Sequence, residues 1–300
     1  MSATLNKTFI NWLIFILLSV IWGSSFILIK AGLVALNSLQ VASLRVVAAG
    51  LSLLPLTIKN FRSIPTNKLG LVFLSGVLGS LVPSYLFCIA ETHIDSSLAG
   101  ILNALTPIFA IVTGALFFHT SIPGNKIIGI VVGFVGSVLL VLSQGLNASG
   151  NLYFIILVVC ATLLYGINVN MVHKHLSQVR SLTIASVALS LCAIPALIVL
   201  IATGYFNHFS TSKPFIESTV ASAILGIGGT AIATILFYVL IKKAGVIFSS
   251  MVTYGIPIVA ILWGLLYKEQ VTWKEIFALF VILIGVFIAN RGPKTIAVPD

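Results

Sequence analysis

The run Pro107–Leu116, PIFAIVTGAL, returns 150 residues later as Pro257–Leu266, PIVAILWGLL. The same offset relates small residues upstream of each run: Gly76 to Gly226, Gly79 to Gly229 and Ser80 to Thr230. Both copies lie in strongly apolar sequence, and many transporters build two halves around a central site by duplicating membrane helices. The repeat therefore predicts a membrane transporter made of two related halves.

The composition places the chain in a lipid bilayer. Hydrophobic residues make up 59% of the 300 residues, charged residues make up 7%, and the mean hydropathy is +1.18. A soluble domain of this length cannot bury so much apolar surface, whereas a bilayer solvates it directly. The net charge of +10 is then expected in loops that face anionic lipid, and nucleic acid is not an expected partner.

Ten apolar stretches are candidates for crossing the hydrocarbon core, which takes roughly 20 helical residues. They are expected near residues 9–29, 39–58, 69–90, 96–118, 126–144, 151–172, 182–203, 219–241, 246–266 and 275–290. The connections between them are short. The sequence thus predicts an all-α, multi-pass protein of the inner or plasma membrane, with ten transmembrane helices.

The positions of lysine and arginine predict the orientation, because cytoplasmic loops carry an excess of both. The N-terminus, every second loop and the C-terminus hold eleven of the 16 basic residues, and the opposite loops hold four. Both termini are therefore expected in the cytoplasm. Each copy of the repeat, residues 1–148 and 149–300, spans five helices, so the second copy is expected to be inverted. Inverted repeats favour alternating access.

The chain resembles the EamA-type repeat of the drug/metabolite transporter superfamily over residues 9–290. The motifs that carry the resemblance are Trp22–Phe26, Arg45, the Leu98–Pro107 stretch, Tyr165-Gly166, Pro257, Glu269, and the glycines Gly129, Gly133, Gly136 and Gly285. The resemblance implies a ten-helix carrier with cytoplasmic termini that exports or exchanges small metabolites. One departure is His119, because the superfamily usually has an acidic residue there, as Glu269 is in the second copy.

Polar side chains inside predicted helices are candidates for the transport site, since each costs free energy in a bilayer unless it finds a partner or water. The candidates for substrate binding are Trp22, Ser24, Ser25, Arg45, Tyr85, Asn103, Thr106, Tyr165, Asn168, Tyr238, Thr253 and Tyr254. Such residues form an aromatic-walled cavity with a few groups that orient a ligand. The alternative is that the hydroxyls bond to their own helix and the aromatic rings only pack.

Helix-breaking residues form a second group of candidates. Those expected to act as hinges or to shape the cavity are Pro83, Pro107, Gly228, Gly229 and Pro257. The small residues Gly129 and Gly133 predict close packing of their helix against a neighbour, within the fold or across a dimer.

Arg45 lies well within a predicted span, and its role stays open between three possibilities. Its planar guanidinium can bind a substrate carboxylate. It can also extend outward to the interface, or it can hold a neighbouring helix through backbone carbonyls. Because the superfamily carries an arginine here across dissimilar substrates, the structural or gating role is slightly favoured.

The acidic residues give no basis for proton coupling. Glu91, Asp95 and Glu269 lie at helix ends and are expected near water, as is His93. A facilitator or exchanger is therefore favoured over a proton antiporter, because proton-coupled carriers normally hold a carboxylate deep in the membrane.

The predicted function is secondary transport of small neutral or amphiphilic metabolites by alternating access, as export or exchange, with amino acids the first class to test. The alternative is a multidrug or organic-cation exporter, and a membrane-embedded enzyme is a distant third. The three cysteines lie in apolar runs without CxxC spacing and the histidines lie in loops, so neither a metal site nor a cofactor is expected. The expected partners are a small-molecule substrate and the bilayer, and the expected state is a monomer or homodimer.

Overall fold

The computed structural model describes residues 2–119, 124–143, 149–207 and 209–290. Its α-helices, in chain order, are α1 Ser2–Leu33, α2 Ser38–Asn60, α3 Thr66–Gly76, α4 Val82–Ala90, α5 Ser96–Asn103, α6 Thr106–Phe118, α7 Gly124–Ser143, α8 Ser149–His175, α9 Ser181–Ala202, α10 Lys213–Ile224, α11 Ala233–Ser250, α12 Val252–Leu266 and α13 Trp273–Asn290. A 3₁₀ turn, Phe61–Ser63, follows α2. No strand occurs within the described residues, so the all-helical prediction is confirmed.

Within the described residues, seven helical stretches are long and apolar enough to cross a bilayer, and two shorter apolar helices, Ile127–Leu140 and Val252–Leu266, accompany them. The second of these is short because the chain turns at Met251, just before α12. At 1.5 Å per residue its 15 residues cover about 22 Å, less than the roughly 30 Å of a hydrocarbon core. The predicted boundary between residues 148 and 149 borders residues 144–148, which lie outside the described residues.

Apolar side chains cover the outside of the helices. Phe9, Leu116 and Phe280 are each more than 60% exposed. Surface of this kind is costly in water but faces hydrocarbon at no such cost. The outer surface of the described helices is therefore apolar, unlike that of a soluble protein, and polar side chains are buried inside the molecule.

Two helical stretches change pitch at positions related by the repeat. Val77–Leu81, between α3 and α4, is a π-helix called π1 below, and Leu225–Ile232, between α10 and α11, is a longer π-helix called π2. A π-helical turn widens the ring of backbone hydrogen bonds, and such turns are frequent at functional sites. The 150-residue offset places π1 within the length of π2.

Helices α7 and α13 lie in backbone contact. A Cβ on Gly285 would overlap the backbone of Gly133, and one on Gly136 would lie 2.7 Å from the backbone nitrogen of Ile282. The small residues thus let two helices approach closely within one chain. Of the two alternatives that the sequence left open, packing within the fold is the one observed.

Gly285→Ala is expected to lower the free energy of unfolding by about 1–3 kcal/mol, because the new methyl group meets backbone that cannot move aside. Thermal unfolding of the purified protein in detergent measures the change. The matched control is Gly70→Ala in α3, where a Cβ meets nothing within 4 Å. Equal melting temperatures for the two variants would contradict the contact.

The loops gather at two ends of the molecule, one with five carboxylates and four lysines and the other with seven lysines and arginines. The carboxylate end comprises residues 30–37, 91–97, 209–217 and 267–275; there Ser218 Oγ donates to Ala31 O and Ser96 Oγ donates to Glu269 Oε1. The basic end comprises residues 59–68, 174–181 and 242–243, where Lys242 Nζ donates to Val179 O. Arg291 and Lys294, two of the eleven basic residues that set the predicted orientation, lie outside the described residues.

Candidate functional site

A buried cavity lies at the centre of the molecule, between helices from both halves of the chain. Its free volume is about 90 Å³, and α1, α2, π1, α4, α8, π2, α11 and α12 all contribute side chains to it. Ligand pockets for metabolite-sized molecules are commonly about 300–1,000 Å³. In this conformation the cavity therefore has room for a few waters, and a metabolite needs a wider state.

The wall formed by π2 is tied to the first half of the chain by two hydrogen bonds. Trp22 Nε1 donates to Gly229 O at 3.0 Å, and Arg45 Nε donates to Thr230 Oγ1 at 2.7 Å. Thr230 Oγ1 in turn donates to Leu225 O, a carbonyl of the π-helix. The irregular backbone of π2 is thus satisfied by side chains that also face the cavity.

Arg45 is buried, at 7% exposure, and lines the cavity. It does not extend outward to the interface, so one of the three possibilities left open by the sequence does not occur in this structure. Among the described residues, it is the only charged side chain in the cavity wall. The cavity is therefore suited to a neutral molecule or to one that carries a negative group.

Two polar atoms in the cavity wall have no hydrogen-bond partner. They are Ser80 Oγ on π1 and Asn168 Oδ1 on α8, each on a side chain that is 4% exposed. The amide nitrogen of the same asparagine, Nδ2, donates to Tyr238 OH at 3.4 Å. Buried polar atoms are rarely left unpaired, so these two are suited to a ligand or water inside the cavity.

Other cavity hydroxyls bond to backbone carbonyls three or four residues earlier in the chain. Ser25 Oγ donates to Ile21 O, and Thr106 Oγ1 donates to Asn103 O. This local bonding is the alternative that the sequence left open for serine and threonine. These two hydroxyls keep only acceptor capacity for a ligand.

The structure brings most of the predicted binding residues to the cavity. Those in its wall are Trp22, Ser25, Arg45, Asn103, Thr106, Tyr165, Asn168, Tyr238 and Thr253, together with Gly229 from the predicted hinge group. Three lie outside it. Ser24 Oγ accepts from Trp263 Nε1, Tyr85 OH bonds with Ser43 Oγ, and Tyr254 packs against the main apolar core.

The three predicted hinge prolines lie beside breaks in the helices, and the two predicted hinge glycines lie within π2. Pro83 follows π1 in the first turn of α4, and Pro107 is in the first turn of α6, just after the turn at Ala104-Leu105. Gly228 lies within π2, and Pro257 lies inside α12, six residues after the turn at Met251. Each proline therefore begins or stiffens a helix beside an interruption.

Several cavity residues were not among the candidates. They are Phe26, Ile29, Gly79, Ser80, Phe87, Val169, Thr230, Thr234 and Phe237. The pairs Gly79/Gly229 and Ser80/Thr230 stood out as matched positions in the repeat, and that match was the available indication of a shared site. Phe87 and Phe237 are a further pair at the 150-residue offset, and Phe26 ends the Trp22–Phe26 motif.

The expectation that Glu91 lies in a solvated loop is wrong. Its side chain is 1% exposed, because α2 and α8 pack against α4 up to the point where that helix ends. Burial raises the pKa of Glu91 well above its ordinary value. Facilitated exchange was favoured over proton coupling because the acidic residues were expected near water. That argument does not hold for Glu91.

Glu269 is held by the start of α5, on the other half of the chain. Its Oε1 accepts from Ser96 Oγ at 2.5 Å and from Ser96 N at 3.1 Å, and its Oε2 accepts from Ser97 N at 3.0 Å. Burial opposes ionisation, but the hydrogen bonds from Ser96 and Ser97 outweigh it and hold the pKa of Glu269 below its ordinary value. The carboxylate thus caps a helix across the two halves.

Within the described part of the chain, no group of three histidine, cysteine or acidic residues is placed to hold a metal ion. Cys88 and Cys192 are buried, and Cys160 is exposed. The described side chains of the cavity can therefore bind a ligand by hydrogen bonds, by shape complementarity and through the one guanidinium group of Arg45.

The model of the EamA-like transporter family matches residues 10–142 and 152–291. An uncharacterized transporter of Archaeoglobus fulgidus is 27% identical over 293 residues, covering 94% of this chain and 99% of that protein. The uncharacterized inner membrane transporter YedA of Escherichia coli is 27% identical, covering 92% and 89%. A solved crystal structure superposes with a TM-score of 0.63 at 16% identity, over 93% of this chain and 96% of that one, which bears on the fold alone.

Proposed function

The chain belongs to the EamA-like transporter family, and from that premise we propose that it moves small metabolites across the membrane by alternating access. Its apolar helices and its similarity to an inner membrane transporter make it a multi-pass inner membrane protein, and it is a transporter rather than an enzyme. The proposal adds ten crossings, arranged as inverted repeats over residues 1–148 and 149–300. We further propose that the protein exports or exchanges its substrate and that it acts as a monomer or homodimer.

Matched local geometry supports the repeat in the proposal. His119 N donates to Gly114 O at the end of α6, and Glu269 N donates to Gly264 O after α12, each bond closing over five residues. Both the donors and the acceptors are 150 residues apart. The positions of π1 and π2 agree with the same offset.

The orientation in the proposal follows from the charge of the two ends. Lysines and arginines gather at the basic end, including Lys59, Arg180 and Lys243, and excess positive charge favours the cytoplasmic side. We therefore assign the basic end and both termini to the cytoplasm. The carboxylate end then faces outward.

The observation that carries the proposal is the central cavity with unpaired polar atoms in an aromatic wall. Ser80 Oγ and Asn168 Oδ1 suit the polar groups of a substrate, and Arg45 suits a carboxylate. Amino acids combine these features and are the first class we propose. An organic cation is less suited, because no carboxylate is among the described residues that line the cavity.

Counterflow in proteoliposomes tests the proposal with panels of amino acids, nucleosides and organic cations. Purified wild type is expected to exchange one or more amino acids in a saturable manner. Ser80→Ala and Asn168→Ala are each expected to raise the apparent KM about 3- to 10-fold, since a net hydrogen bond contributes about 0.5–1.5 kcal/mol.

Two matched substitutions serve as controls. Ser52 Oγ donates to Ala49 O and Asn60 Nδ2 donates to Leu56 O, both within α2 and away from the cavity. Ser52→Ala and Asn60→Ala are expected to leave the apparent KM unchanged. Exchange of organic cations alone would favour the multidrug alternative, and equal effects of all four substitutions would remove the cavity as the binding site.

A further inference from the structure

A carboxyl group without polar contacts lies at the side of the carboxylate end that faces the cavity. Glu91 is 1% exposed, and neither of its oxygens has a hydrogen-bond partner. Among the described residues, no lysine, arginine or histidine nitrogen forms an ion pair with it. Phe87, one helical turn earlier on α4, lines the cavity. Glu91 therefore lies about one turn beyond the cavity, at the side of the carboxylate end that faces it.

Three charged groups act on Glu91 from neighbouring elements, and one titratable group lies on the helix that it ends. Lys30 on α1 and Arg45 on α2 favour its ionised form, and Glu269 after α12 opposes it; Cys88 lies on its own helix. Burial is the largest influence and raises the pKa of Glu91 well above its ordinary value. Glu91 also caps the C-terminus of α4, where the helix dipole disfavours negative charge.

Glu91 and Glu269, two glutamates of this end, have surroundings that favour opposite protonation states. Glu269 is ionised, because backbone and hydroxyl groups of Ser96 and Ser97 donate to it. Glu91 has no donor, so its environment accommodates the neutral carboxylic acid. Paired carboxyl groups whose environments separate their protonation states are a common arrangement where a protein handles protons.

We propose that Glu91 is a proton-binding site that couples transport to protons: it takes up a proton when the carboxylate end is open, holds it while the site is closed, and releases it when the basic end opens. The proposal rests on the alternating access proposed above. When the basic end opens, water enters the cavity and reaches Glu91. The O–H bond of the carboxylic acid breaks, the proton passes to that water and leaves through the basic end, and the hydrated carboxylate remains. Glu91 takes up a proton again from water at the carboxylate end when that end next opens and closes.

The direction of the pH effect follows from which state binds the proton. The closed state binds one more proton than the open state, so acid at the carboxylate end favours closure and alkali favours opening. A substrate gradient and a proton gradient then drive each other. With one proton moved per substrate, a pH difference of about one unit supports about tenfold accumulation.

The experiment compares wild type with Glu91→Gln in proteoliposomes, using the amino acid with the fastest counterflow. Counterflow without a pH gradient, accumulation under an imposed pH gradient, and proton movement reported by a trapped pH-sensitive dye are measured in parallel. Wild type is expected to show all three. Glu91→Gln, which keeps the shape of the neutral acid, is expected to retain counterflow and to lose accumulation and proton movement. Glu217→Gln, at an exposed glutamate, is expected to match wild type.

The possible failures are distinguishable. Wild type that exchanges substrate but neither accumulates it nor moves protons under a pH gradient overturns the role of Glu91 and leaves the transporter intact. Accumulation driven by a sodium gradient alone, or coupling retained in Glu91→Gln, overturns it as well. Wild type without any exchange removes the proposed function and this proposal together. If Glu91→Gln does not fold, Glu91→Asp keeps a carboxyl and must retain proton movement with an altered pH dependence.

Discussion

Replacing Arg45 by alanine is expected to lower the exchange of carboxylate-bearing substrates by about 10- to 100-fold. A hydrogen bond to a charged group contributes about 1.5–3 kcal/mol, and here the charge is buried in the cavity wall. The fold is expected to persist, because Thr230 Oγ1 keeps its bond to Leu225 O when the guanidinium is removed.

The measurement separates binding of the substrate from support of π2. Counterflow of an amino acid is compared with that of its carboxamide, which lacks the negative charge. If Arg45 binds the carboxylate, Arg45→Ala reduces exchange of the acid far more than exchange of the amide. If it only holds π2 through Thr230, both fall alike. Arg45→Lys is expected to recover part of the preference, since lysine keeps the charge but lacks the fork. Arg62→Ala, in the exposed turn after α2, is the matched control.

The repeat made a large part of the central site predictable. Residues on π1 and π2 share the 150-residue offset, and the rule that polar or aromatic side chains within apolar helices are site candidates selected Trp22, Asn168 and Tyr238, which line the cavity. What the sequence could not supply was the direction of each side chain. Ser24 and Ser25 are adjacent, yet only Ser25 lines the cavity, because successive residues of a helix point about 100° apart.

Glu91 shows why helix ends are harder to interpret than helix interiors. Its position one residue after α4 indicates a loop, and charged loop residues are usually solvated. Whether a loop is covered depends on how far neighbouring helices extend past it, and here α2 and α8 enclose the end of α4. Whether a helix end is buried depends on the packing between helices, so periodicity within one helix cannot predict it. The contact between Glu269 and Ser96 is of the same kind, since it joins residues 173 positions apart.

Among substitutions of the acidic residues at the carboxylate end, Glu269→Ala is expected to favour the opening of that end most. The substitution leaves the backbone N–H groups of Ser96 and Ser97 without an acceptor at the start of α5, and losing a helix cap costs about 0.5–2 kcal/mol. Since the lost acceptor is charged and joins the two halves, we expect the upper part of that range. The ratio of open to closed molecules should then rise by about 10- to 30-fold.

Cys88 provides the readout for this opening. It is buried beside the carboxylate end, three residues before Glu91, so a water-soluble maleimide reaches it only when that end opens. In a Cys160→Ser, Cys192→Ser background, Glu269→Ala is expected to label about tenfold faster than the same background with Glu269, if opening limits the reaction. The control is Glu217→Ala. Its ion pair with Lys213 spans 3.8 Å between side chains 66% and 85% exposed, and surface pairs of this kind contribute little.

The acid dependence of the Glu269 contact gives a second, independent check. The pKa of this carboxyl is lowered in the folded protein, so its stabilising contribution is fully present above the unfolded value of about 4.3 and is lost as the pH falls through the folded value. The difference in melting temperature between wild type and Glu269→Ala should therefore be constant near neutral pH and shrink below about pH 4. Equal labelling rates at neutral pH, or a difference that grows in acid, would show that the bonds from Ser96 and Ser97 do not close this end.

Because His119 occupies the matching position in the first copy, the basic end has no equivalent carboxylate at that position. The contact of Glu269 with Ser96 and Ser97 thus acts at the carboxylate end only, and it favours the state in which that end is closed.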